Sequence, residues 1–196
     1  MHLGSARTAL YDYLIAKKTK GQFILRIEDT DRKRLVEGAE EELISGLLWL
    51  GIDWDEGPLK GGPYAPYRQS ERKEIYLQYA KELIDNERAY YCFCSQERLK
   101  KVREETRKQK GQPHYDGLCR NIPLAEAEER IRNGESYVIR FKMPKEGKTI
   151  VNDFLRGEIT FDNKNLDDYI IVKSDGWALY HLAATVDDHL MKITHV

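Results

Sequence analysis

Residues 22–27 (Gln-Phe-Ile-Leu-Arg-Ile) constrain the fold of this chain more than any other segment. The run is short, rich in β-formers, opened by Gly21, and flanked on both sides by residues at helical spacing. That pattern predicts a strand buried in a parallel sheet, because parallel neighbours are joined by crossovers long enough to hold a helix. Upstream, Ala6, Ala9, Leu10, Tyr13 and Leu14 recur at helical spacing just after Gly4-Ser5, which predicts a helix from that point. Downstream, Leu43, Leu47 and Leu50 share one face of a helix over residues 40–50, with Gly51 placed as its cap. The first 51 residues therefore read helix–strand–helix, half of an α/β unit that lacks its opening strand.

The pattern then changes. Residues 57–69 are rich in Gly and Pro and predict a loop, followed by a helix over residues 70–86 carrying Ile75, Tyr79 and Leu83. Residues 91–94 are short and aromatic, and a highly charged helix is expected from Ser95. The charge run from Arg98 to Lys110 reads as a solvated helix face rather than a nucleic-acid stripe. The loop over residues 111–121 closes on Cys119, and Pro123 suits the first position of a helix ending near Gly134. From Tyr137 the period becomes two: Tyr137, Ile139 and Phe141 alternate with Val138 and Arg140, and residues 159–161 and 169–172 continue the strand pattern. The simplest account is an α/β domain made of residues 1–72 and 179–196, with an α+β insertion over residues 73–178.

Composition excludes several classes. Of 196 residues, 41% are hydrophobic and 33% charged, enough for a core under a polar surface, and the mean hydropathy is −0.66. The 32 Lys+Arg and 33 Asp+Glu are interspersed, so there is no overall basic footprint and no acidic tail. Three Cys cannot all pair within one chain, which argues for a reducing, cytoplasmic setting. Arg7, Asp12 and Lys17 interrupt any signal-like apolar run, and nothing approaches the ~18 residues of a bilayer span, so no membrane partner is expected.

Four constellations can carry chemistry, and each has a plain structural counterpart. His2-Leu3-Gly4-Ser5 precedes a helix, where a glycine and free N–H groups let a phosphate approach and His2 can stabilise its charge; the counterpart is an ordinary helix start. Glu28, Asp29 and Asp31 follow the predicted strand, where open α/β sheets place ligands. There Glu28 can face an ammonium group, and Arg32 and Arg34 can meet phosphates; the counterpart is a solvated turn with a helix cap. Cys92, Cys94 and Cys119 offer three thiols to zinc, with His114, Tyr115 and Asn121 as candidates for a fourth contact, or are three reduced structural cysteines. Asp175-Gly176 predicts a turn after which Tyr180 and His181 return towards the sheet.

In order and spacing, five blocks together resemble the catalytic region of the bacterial glutamyl-tRNA synthetases, a class I aminoacyl-tRNA synthetase family. They are His2-Leu3-Gly4-Ser5-Ala6-Arg7-Thr8-Ala9-Leu10; Leu25-Arg26-Ile27-Glu28-Asp29-Thr30-Asp31; the run Gly62-Pro63-Tyr64-Ala65-Pro66-Tyr67-Arg68-Gln69-Ser70-Glu71-Arg72; Tyr115-Asp116-Gly117-Leu118-Cys119-Arg120; and Lys173-Ser174-Asp175-Gly176 leading to Tyr180-His181 and Asp187-Asp188-His189-Leu190-Met191. The resemblance implies a partial Rossmann-type nucleotide-binding fold with an inserted domain that grips the tRNA acceptor stem. It implies that L-glutamate and ATP, with Mg2+, give glutamyl adenylate, and that the glutamyl group then passes to the 3′ end of tRNA(Glu). By the same resemblance His2 and Gly4 match the "HIGH" signature at the ATP phosphates, with Ser5 in place of its second His. Glu28 matches the contact to the substrate ammonium, Tyr180 lines the glutamate pocket, and Asp31, Arg32 and Arg34 are candidate tRNA contacts. The three Cys match the zinc-bearing form of the insertion, whose fourth ligand lies two residues past the last Cys, here Asn121, or four before it, here Tyr115.

The family also places an Arg-x-x-Pro-Ser-Pro-Thr-Gly segment before the signature, and a lysine loop and anticodon-binding domains after the last block. The chain thus reads as a fragment cut at both ends, expected to have no aminoacylation alone. Rival expectations are a glutamyl-queuosine tRNA(Asp) synthetase, a glutaminyl enzyme and a non-catalytic RNA-binding module. A net charge of −1 speaks against the last.

Overall fold

The computed structural model describes residues 2–31, 36–108 and 114–196, and the chain divides into two units, Met1–Tyr76 with Ala178–Val196, and Leu77–Trp177. In the first unit, α1 (Leu3–Thr19) starts earlier than its periodicity suggests. His2 is its N-cap: Nδ1 accepts the Gly4 N–H at 3.0 Å, so Gly4 and Ser5 lie within the first turn rather than before it. α2 (Ala39–Trp49) ends in a Schellman-type turn, with Gly51 at φ 73° and the Ile52 N–H on the Leu47 carbonyl. Ala16, Phe23, Ile44, Leu47, Ile52 and Trp54 form the core here, and Tyr13 meets Phe23 edge to face. Leu50, expected on the buried face, is exposed, and Ile44 is buried instead.

Residues 22–27 do not form a continuous buried strand. They make isolated parallel bridges, Ile24 with Glu56 and Ile27 with Arg68, and only Phe23 among them is buried. Their partners are short stretches on either side of the Gly/Pro loop, so pairing breaks where the loop leaves and resumes where it returns: Leu25 N–H meets the Glu56 carbonyl, and Ile27 N–H the Tyr67 carbonyl, each at 2.9 Å. A 3-10 turn (Gln69–Arg72) leads into α3 (Lys73–Asp85), whose buried face is Tyr76, Ala80 and Ile84, one position on from the face expected.

In the second unit β1 (Ala89–Cys92) precedes α4 (Gln96–Lys108), where Ser95 caps the helix by accepting the Arg98 N–H. α5 (Leu124–Arg132) has Pro123 at its cap, outside the helix, because ψ 142° is extended. β2 (Val138–Phe141) lies between β1 and β5 (Ile170–Val172) in an antiparallel sheet of order β1-β2-β5, with Tyr90 opposite Arg140 and Cys92 opposite Val138. β3 (Lys148–Asp153) and β4 (Gly157–Asp162) form a separate hairpin. β3 escaped the sequence because its residues are almost all exposed and leave no alternating signal. The chain returns to the first unit through a turn at Gly176 and α6 (Tyr180–Leu190). Tyr180 and His181 thus open a helix rather than rejoining a sheet, since Leu182, Ala183 and Val186 bury one helical face.

Candidate functional site

An open groove of about 1450 Å³ runs through the first unit, lined by His2, Gly4, Thr8, Glu28, Asp31 and Asp188 among others. It brings together the α1 start and the acidic turn after Ile27, which are separate in sequence. The Gly4 contact fixes the His2 ring with Nδ1 as acceptor, so the neutral imidazole carries its proton on Nε2 and donates from there. A Cβ at Gly4 would lie 3.1 Å from Nδ1, so a side chain there would push on the ring. Ser5 also lines the groove.

Glu28 is held from behind. Arg26 donates to Glu28 Oε1 at 3.1 Å and to Asp188 Oδ1 at 2.7 Å, and its Nε stands 3.7 Å from Asp187. Burial alone would lower the Arg26 guanidinium, but the hydrogen bonds to Asp188 and Glu28 outweigh it and raise it. Asp187, fully buried on α6, accepts from Gln69 Nε2, Arg72 Nε and Tyr76 Oη at 3.1, 2.7 and 2.8 Å. Burial, reinforced by Asp187, raises the Tyr76 phenol. Sequence reasoning gave no role to Asp187, Asp188 or Arg26, because a charged residue's type does not say which distant partner it will meet.

The other expected residues are placed differently. Asp31 is half-buried on the groove, whereas Arg32 and Arg34 lie outside the described residues. Tyr180 is 57% exposed at the start of α6, meets the His181 ring edge-on, and is not among the groove's lining residues.

The second unit holds the thiol cluster. The Sγ atoms of Cys92, Cys94 and Cys119 lie within 4.8 Å of one another, with Cys94 and Cys119 at 3.6 Å. The Tyr115 hydroxyl completes a four-atom set at 3.4 Å from Cys92 and 3.5 Å from Cys94, and accepts the Cys119 N–H at 2.9 Å. Zinc–sulfur bonds of about 2.3 Å in a tetrahedron give edges of about 3.8 Å between sulfurs and about 3.5 Å between sulfur and oxygen. The Cys94–Cys119, Cys92–Tyr115 and Cys94–Tyr115 edges have those dimensions and the remaining sulfur pairs lie within 4.8 Å, so the donor set fits the metal. His114 and Asn121 are exposed. Arg140, buried, lies 4.0 Å over the Tyr115 ring. Contacts with Cys119 and Tyr115 pull the Cys92 thiol below its ordinary range despite burial. The Cys92 contact and burial raise Cys119, and burial raises Tyr115.

Comparison with known proteins identifies the family. The family model for the class I tRNA synthetases (E and Q), catalytic domain, matches residues 1–196. The chain belongs to this family. Glutamate–tRNA ligase 2 of Caldicellulosiruptor saccharolyticus is 52% identical over 196 residues, and the glutamate–tRNA ligase of Dehalococcoides mccartyi 54% over 195. All of this chain is covered in each case, against 41% and 39% of the relative, so the chain spans about two fifths of their length. The crystal structure of the glutamate-tRNA synthetase from Elizabethkingia anophelis superposes with TM-score 0.93 at 45% identity, over the whole chain and 41% of that protein. A glutamate tRNA ligase from Elizabethkingia meningosepticum, in complex with its amino acid, gives the same score and identity over 40% of its chain. The α/β, Rossmann-type class expected from the sequence therefore holds for this class I synthetase domain. No helix among the described residues is long and apolar enough to cross a membrane.

Proposed function

We propose that the chain is the catalytic part of a cytoplasmic glutamate–tRNA ligase. The observation that carries this is the convergence, on one groove, of the His2-Gly4 helix start and the Arg26-braced Glu28 carboxylate. ATP fits with its phosphates, accompanied by Mg2+, at the α1 N-terminus, where the His2 Nε2–H stabilises charge developing on the α-phosphate. An α-carboxylate oxygen of L-glutamate attacks that phosphorus and pyrophosphate leaves; the adenylate then yields its glutamyl group to the 3′ end of tRNA(Glu). Glu28, with one oxygen on Arg26, offers the other to the substrate ammonium; Tyr180, outside the groove's lining, is assigned to the glutamate pocket on the family resemblance alone. Asp31, Arg32 and Arg34 are assigned to tRNA contact, and the second unit to the acceptor stem.

In the second unit Cys92, Cys94, Cys119 and Tyr115 would hold a zinc ion, which when bound supplies a structural crosslink between β1 and the loop before α5. The test is a chimera in which residues 1–196 replace the matched segment of the Caldicellulosiruptor ligase. It should charge tRNA(Glu) with glutamate, while the 196-residue chain alone should not. A folded chimera that glutamylates only tRNA(Asp), or nothing, would sink the assignment.

A further inference from the structure

We propose that Cys94 and Cys119 form a peroxide-sensitive pair, in which Cys94 is the sulfur oxidised first and Cys119 resolves it as a disulfide. The metal reading above enters only through the consequence for a bound metal and the second arm of the test below.

Position separates the three thiols. Cys92 and Cys119 are buried and Cys94 alone is not. Cys92 faces the sheet side shared with Tyr90, Tyr115 and Val138. Cys94 instead meets Arg98 NH1 at 3.5 Å, on a helix whose guanidinium reaches solvent and pairs with Asp116. A small oxidant arriving from solvent therefore meets the Cys94 sulfur first. Cys119 Sγ lies 3.6 Å from it, the shortest sulfur–sulfur approach recorded among the described residues, and the two must close by about 1.6 Å to reach a bond of about 2.0 Å.

The chemistry balances with a hydroperoxide as oxidant. The Cys94 sulfur attacks the peroxide O–O bond, taking one oxygen to become a sulfenic acid while the other leaves as water or an alcohol. The Cys119 sulfur then attacks Cys94 Sγ, the S–O bond breaks, and water departs. Two electrons pass from the sulfurs to the peroxide oxygens, and two thiol hydrogens leave in the products. Because both sulfurs belong to the four-atom donor set, the disulfide removes two donors at once and a metal held there must leave.

The test treats the metal-free chain with hydrogen peroxide and maps its thiols by mass spectrometry. The expected product is lighter by about 2 Da, contains a peptide linking Cys94 to Cys119, and leaves Cys92 open to alkylation. Cys92→Ser should still form that link, and Cys94→Ser should leave Cys119 reduced. A bond through Cys92, stable oxygen adducts on Cys94 without a disulfide, or unchanged thiols would overturn the proposal. A second arm starts from the zinc-loaded chain and follows the metal with a chromogenic chelator: zinc release should keep pace with the disulfide. Release without the disulfide would overturn the pair as the sensitive element. A chain that takes up no zinc defeats the metal reading alone, while the mass pattern of the metal-free chain still decides the thiol pair.

Discussion

Arg26 and Asp188 are 162 positions apart, yet Arg26 NH1 donates to Asp188 Oδ1 at 2.7 Å and thereby ties the turn before Glu28 to α6. One guanidinium between two carboxylates leaves a net negative charge at the groove, the complement of a substrate ammonium. In the chimera, Glu28→Gln should raise the KM for glutamate about 10- to 100-fold, the worth of a charge-assisted hydrogen bond, with the KM for ATP little changed. Equal losses for both substrates would remove Glu28 from the ammonium site.

Asp187 accepts from three side chains in a fully buried setting. Asp187→Asn leaves the Arg72 charge buried without its counter-charge and should cost about 3–5 kcal/mol in chemical unfolding. Lys81→Ala, which removes an exposed pair with Asp85 on α3, should leave the midpoint where it was.

Gly57 has φ 149°, and a Cβ there would stand 2.6 Å from the Leu25 carbonyl oxygen, a backbone atom that cannot move aside. Gly57→Ala should therefore destabilise the first unit by about 2 kcal/mol or more, read as a lower unfolding midpoint. A neutral result would mean that residues 22–27 and the Gly/Pro loop are not held in the register described.

The thiol cluster predicts one zinc per chain by elemental analysis. Tyr115→Phe removes the oxygen donor and should weaken zinc about 10- to 100-fold in chelator competition. Affinity should fall as the pH drops, because protons compete for the sulfurs and the phenol oxygen. Full zinc retention by the Phe variant would make Tyr115 a neighbour rather than a ligand.

Asp168 gives the second unit an acid limit. Burial alone would raise its carboxyl, but hydrogen bonds from Arg120, Tyr90 and Lys145 outweigh it and hold it below the ordinary carboxylate range. A depressed folded value means stability that is present above the ordinary range and lost as the pH falls through the folded value. Unfolding measured between neutral and strongly acid pH should show this loss, and Asp168→Asn should flatten the slope while lowering stability at neutral pH.

Much of the fold was legible because its signals are local. The helical period of Ala9, Leu10 and Tyr13, the Gly51 cap and the helix start at Ser95 each act over a few residues. The site was legible in part. His2, Gly4 and Glu28 stood out by type and place, whereas the alternation of Val138 and Arg140 with Tyr137, Ile139 and Phe141 did not show that Arg140 is buried. It is buried because the other face of β2 is covered by Tyr115. β3 went unseen because an exposed hairpin strand carries no amphipathic record.

The sequence by itself determined most of the helices, the Gly51 cap, and that three thiols and an acidic turn were available. Only the tertiary structure decided that Tyr115, rather than His114 or Asn121, joins the sulfurs, that Asp187 turns inward while Asp188 reaches Arg26, and that the α1 start and Glu28 share a groove. Helix period and capping depend on neighbours a few bonds away. Which charges must find partners depends on which surfaces lose water together, and packing alone sets that.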